Sequence, residues 1–139
     1  KNSCNDAKDM KNTLDSLGFD VLYLQNSSKS EMKQKARKFE RKLRQGGVGF
    51  FYYAGHGLEV ENKNYLIPVN ADIQEKNEVE DEALSVDFII RKMEDSNNRL
   101  NIVVLDACRN DPFGRGGGGG LAAINNAKGM YIAFATGPG

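Results

Sequence analysis

Val48-Gly49-Phe50-Phe51-Tyr52-Tyr53-Ala54, running straight into Gly55-His56-Gly57, decides the fold of this chain. Those first seven residues show no polar alternation, so the run reads as a strand covered on both faces, as in the middle of a parallel sheet. A second run of the same kind, Asn101-Ile102-Val103-Val104-Leu105, leads directly into Asp106-Ala107-Cys108-Arg109-Asn110. Between them Ser85 is placed to cap a helix in which Val86, Ile89, Ile90 and Met93 share one face. Strand, crossover helix and strand predict parallel neighbours.

Upstream, Ala7, Met10, Leu14 and Leu17 recur at helical spacing over residues 5–17, and Gly18 is placed to end that helix. Residues 19–24 then read as a short strand. Ser28 and Glu31 have the spacing of a capping box, Met32, Ala36, Phe39 and Leu43 form one apolar stripe, and Gly46-Gly47 stops this second helix. Residues 59–81 are polar apart from Tyr65-Leu66-Ile67-Pro68-Val69, which reads as a short strand or one arm of a hairpin. Five glycines at 116–120 lie in a loose stretch, and a last strand is expected over 130–135. The whole predicts one α/β domain over residues 1–139, with a mainly parallel central sheet and helices on both faces, a three-layer sandwich.

At 139 residues the chain is long enough for one domain with a core and too short for two. Lysine plus arginine and aspartate plus glutamate both count 19, so no net charge calls for nucleic acid or an anionic membrane as partner. No apolar run approaches a bilayer span, the first residues lack a signal-peptide pattern, and the start at Lys1 reads as a fragment boundary. Two cysteines and one histidine make neither a disulfide framework nor a metal-ligand spacing. A working thiol favours a reducing, cytoplasmic compartment.

That scarcity directs attention to His56 and Cys108, each placed where a buried strand is expected to end. Side chains at the carboxyl ends of parallel strands meet in a surface crevice. A thiolate is a good nucleophile, but a free thiol is mostly protonated near neutrality, so a base must take its proton. His56 is suited to that task and to protonating the departing amine. Glycines on either side leave room for substrate, and the amide N–H groups of Gly57 and Cys108 are natural oxyanion donors. Taken singly, each residue has an ordinary explanation, a loop histidine and a packed cysteine; their joint placement favours catalysis.

Four segments resemble the caspase-like cysteine peptidases, the group of caspases, metacaspases, paracaspases and bacterial relatives. Phe51-Tyr52-Tyr53-Ala54-Gly55-His56-Gly57 is similar to the histidine motif and Asn64-Tyr65-Leu66-Ile67-Pro68-Val69-Asn70 to the segment after it. Leu105-Asp106-Ala107-Cys108-Arg109-Asn110 is similar to the cysteine motif, and Ala135-Thr136-Gly137-Pro138-Gly139 to a later strand-end motif. The resemblance is strongest to the paracaspase and bacterial metacaspase-like (orthocaspase) branch, because Asp106 and Asn110 stand where caspases have Gln and Gly.

The resemblance implies a caspase-like fold and cysteine endopeptidase activity through the His56–Cys108 dyad. It places Asp106 in the S1 pocket, where a carboxylate favours a cationic P1 side chain, Arg above Lys; a loop cap at the strand end is the plain alternative. Asp6, beside Asn5, either shares that pocket or caps the first helix. Residues 110–127 correspond to the loop cut during maturation, which makes Arg115, and less so Lys128, a self-cleavage candidate; a plain surface loop is the alternative. Glu75, Glu78, Glu80, Asp81 and Glu82 lie broadly where metacaspases bind calcium, without a clear match, so no cofactor or metal is expected, with calcium activation as the lesser alternative. Relatives carry a strand before the first helix and further elements after the last motif, which these 139 residues do not contain. The expected partners are peptides or proteins with a basic P1 residue, with a second subunit or homodimer as the further one. A catalytically silent caspase-fold scaffold is the main rival reading, and an unrelated cysteine hydrolase or transferase the third.

Overall fold

The computed structural model describes residues 3–108 and 129–134, with side chains for residues 5–107 and 129–134. Helix α1 (Ser3–Ser16) opens the chain and closes at Gly18, whose backbone lies in the left-handed region at φ +89°. There the Phe19 N–H donates to the Leu14 carbonyl and the Gly18 N–H to the Asp15 carbonyl, the paired bonds of a Schellman cap. Residues 19–24 are not a strand, contrary to the expectation from their composition. A strand needs a ladder partner, and among the described residues none pairs with this segment. Instead the Phe19 ring lies 6.2 Å from that of Phe50, and Asp20 pairs with Lys42.

Helix α2 (Lys29–Leu43) starts at Ser28 with the expected capping box. Strand β1 (Val48–Val60) is followed by β2 (Lys63–Leu66), a 3₁₀ turn at Lys76–Glu78, α3 (Val79–Glu82), β3 (Leu84–Ser85), α4 (Val86–Asp95), β4 (Leu100–Cys108) and β5 (Met130–Phe134). Ser85 accepts from the Asp87 N–H as the cap of α4. The five strands form one sheet in the order β3-β2-β1-β4-β5. The β1–β4 and β4–β5 ladders are parallel and the longest, while β1–β2 and β2–β3 are antiparallel. The crossover from β1 to β4 therefore contains a hairpin and two short helical pieces besides α4.

Strand β1 runs six residues past its expected end at Ala54 because the chain turns back at Glu61 and Asn62, both at positive φ, 52° and 63°. Two such residues in succession make the type I′ turn of a tight hairpin, here written Glu-Asn rather than Asn-Gly.

The main core lies on one face of the sheet, where α2 and α4 pack Ala36, Leu43, Ile89, Ile90 and Met93 against Leu66, Val103 and Leu105. On the opposite face α1 packs against β1, and a smaller core of Leu58, Tyr65, Val79 and Ala83 closes the hairpin end. No helix among the described residues is long and apolar enough to cross a membrane.

Candidate active site

The β1–β4 ladder pairs Tyr52 with Val104, Ala54 with Asp106 and, as its last pair, His56 with Cys108. Paired positions on neighbouring strands lie about 4.8 Å apart. From Gly57 onward β1 pairs with β2 instead, Gly57 opposite Leu66. His56 thus sits where β1 exchanges a parallel partner for an antiparallel one, beside Cys108, the last described residue of β4. The His56 side chain is exposed.

The backbone at this fork is held from two sides. The His56 carbonyl accepts the Ile67 N–H at 3.0 Å and the Tyr53 hydroxyl at 2.7 Å. Tyr53 and Gly55 share a face of β1, so the phenol ring reaches His56 by lying over Gly55. A Cβ on Gly55 would come within 2.7 Å of the Tyr53 oxygen and 2.9 Å of the adjoining ring carbon, too close for any other residue to allow the same path. Because the His56 carbonyl faces β2, strand alternation directs the Gly57 N–H to the other edge of β1, toward the Cys108 end of β4.

The face of the sheet opposite the main core carries Tyr52, Ala54 and His56 of β1 beside positions 104, 106 and 108 of β4. Here the Tyr52 hydroxyl donates to Oδ2 of Asp106 at 3.2 Å, reaching diagonally past Ala54. Burial first, then the Asp106 charge and hydrogen bond, then the Asp6 charge, push the Tyr52 phenol up to about 12. Three groups from two β-strands and α1 therefore converge at an acidic spot about 7 Å along β4 from position 108, two residues at roughly 3.3 Å each.

A family model for the caspase domain matches residues 1–139. The chain belongs to the caspase-domain family. It is 33% identical over 104 residues to human mucosa-associated lymphoid tissue lymphoma translocation protein 1, and equally so to the mouse homologue. Those 104 residues are 75% of this chain and 12% of either relative.

Within this caspase domain Asp6 is not the cap of α1. The helix begins at Ser3 and Asp6 falls in its first turn, where a carboxylate also meets the positive end of the helix dipole. The acidic stretch is occupied with local structure: Glu78 accepts from the Gln74 and Glu75 N–H groups, Glu82 accepts from the Asp72 N–H, and the Lys29 ammonium donates to the Glu80 and Asp81 carbonyls. Among the described residues no three histidine, cysteine or acidic side chains gather as a metal site. The Cys108 side chain, Arg115, Lys128, the 110–127 loop and the motif at 135–139 lie outside the described residues.

Reading the caspase-domain sequence alone assigns no role to Tyr52, Tyr53 or Ala54 beyond filling a buried strand. The signal that separates them is parity. Once His56 and Cys108 are in register, even positions of β1 share the site face and odd positions share the core face.

Proposed function

We propose that this caspase-domain chain is a cysteine endopeptidase that cleaves after Arg or Lys. The observation that carries the reading is the register pairing of His56 with Cys108 at the carboxyl end of β4, with Asp106 on the same face. In the reaction, His56 takes the Cys108 proton and the sulfur attacks the scissile carbonyl carbon. The Gly57 and Cys108 N–H groups hold the resulting oxyanion. As the C–N bond breaks, the imidazolium returns its proton to the departing amine and a thioester remains. Water, deprotonated by His56, then attacks the thioester, releasing the new carboxyl end and the thiol.

Asp106 supplies the charge that selects a basic P1 side chain, with Asp6 beside it. Similarity to the mucosa-associated lymphoid tissue protein supports a place in the paracaspase branch.

The test is a set of peptides differing only at P1, with Arg, Lys or Asp. Cleavage of the Arg and Lys peptides, abolished by Cys108→Ala and by His56→Ala, is expected. A preference for Asp would overturn the pocket assignment, and no cleavage by the wild-type chain would favour the silent scaffold.

A further inference from the structure

We propose that Tyr52 is a positioning residue that sets the preference for Arg over Lys at P1, by fixing the plane of the Asp106 carboxylate. The inference deepens the peptidase reading above and rests on it.

Asp106 stands opposite Ala54, the smallest side chain on this stretch of the site face, and Tyr52 is one step further from His56. A larger residue at 54 would stand between the ring and the carboxylate. With Ala54 there, the phenol reaches Oδ2 at 3.2 Å.

A carboxylate left to itself rotates about its Cβ–Cγ bond, because that terminal torsion is broad. The Tyr52 hydroxyl on Oδ2 biases that torsion from the β1 side. The phenol keeps its proton well into the alkaline range, so the donor is present at every physiological pH.

Orientation matters unequally for the two basic side chains. Guanidinium is a planar fork whose two parallel N–H bonds need both carboxylate oxygens in its own plane. Ammonium is a compact point charge with rotatable donors and is indifferent to that plane. Fixing Asp106 therefore favours Arg and does little for Lys.

The experiment measures kcat and KM of wild type and Tyr52→Phe on matched P1-Arg and P1-Lys peptides, using the full chain. In the variant the Arg-to-Lys ratio of kcat/KM is expected to fall about tenfold, the scale of one hydrogen bond to a charged group. The loss should appear as a higher KM for the Arg peptide with kcat little changed, since substrate and transition state share that contact. The Lys peptide should change by no more than about twofold. Tyr52→Met, another donor-free side chain, is expected to give the same collapse and serves if Tyr52→Phe does not fold.

Equal losses on both peptides, or an unchanged ratio, would overturn the role of Tyr52 while leaving the peptidase reading standing. So would a wild-type ratio near one. A wild-type chain that cleaves neither peptide would overturn the peptidase reading, and this inference with it.

Discussion

The Tyr53 hydroxyl donates to the main-chain carbonyl of His56 across an empty Gly55, so a residue of the core face holds the backbone of the site-face histidine. The glycine before the histidine is thereby required by a close approach, and its φ of +157° is one that other residues rarely adopt. Ile67 completes the arrangement by donating to the same carbonyl from the β2 side. Catalysis by the proposed dyad depends on where this short piece of backbone stands, because the imidazole and the Gly57 N–H are both carried by it.

Removing the Tyr53 hydroxyl leaves the Ile67 bond in place, so the effect should be graded. Tyr53→Phe is expected to cost about 1 kcal/mol of stability, the usual net worth of one hydrogen bond. Peptidase kcat should fall about three- to tenfold, with KM little altered because no substrate contact is lost. Urea denaturation and steady-state kinetics on the P1-Arg peptide check both numbers.

Filling the space over Gly55 should be worse. Gly55→Ala sets a methyl against the Tyr53 ring, and the strain is expected to cost about 1–3 kcal/mol. Since the clash is with that ring, combining Gly55→Ala with Tyr53→Ala should cost less than the sum of the two single changes. A double-mutant cycle by urea denaturation reads this coupling. Strict additivity would mean that the two residues do not touch.

The Ser28 cap lies far from the dyad along the chain and tests stability separately from chemistry. Ser28 accepts the Glu31 N–H at 3.1 Å, and Glu31 accepts the Ser28 N–H at 3.1 Å. Ser28→Ala is expected to cost about 1 kcal/mol without changing kcat/KM per folded molecule. The Ser28 backbone and side-chain bonds hold the Glu31 carboxyl below its ordinary 4.5. A depressed carboxylate stabilises the fold above its unfolded pKa, and that contribution disappears as pH falls through the folded value. Glu31→Gln should therefore narrow the difference in stability between pH 7 and pH 3, measured by urea midpoints.

Tyr52 predicts the opposite limb. Its phenol rises from 10.0 unfolded to about 12 folded, so between those values the folded chain holds a proton that the unfolded chain has lost. The contribution is complete below pH 10 and declines as pH climbs toward 12. Tyr52→Phe should thus lose less stability than wild type between pH 10 and pH 12. Ultraviolet titration of the phenolate in the two proteins checks the assignment.

The apolar run of β1 and the helical stripes of α2 and α4 were legible from residue pattern, since burial on both faces and period-3.6 spacing depend on side chains alone. Residues 19–24 show the limit. Their composition suits a strand, but strand formation depends on a neighbour that composition does not name. The Glu61-Asn62 turn is not legible in the sequence for a similar reason: neither residue is the usual glycine at a left-handed position, and the pairing of the flanking strands decides it.

The site divides in the same way. The identities of His56, Cys108, Asp106 and Asp6, and the chemistry each side chain is capable of, were written in the sequence. What the tertiary structure decided is parity and register. A shift of one residue between β1 and β4 would turn Tyr52 away from Asp106 and bring Tyr53 to the site face. Strand alternation has a period of two, so only the ladder, built from backbone bonds that ignore side-chain identity, determines which of two adjacent tyrosines serves the carboxylate and which serves the histidine.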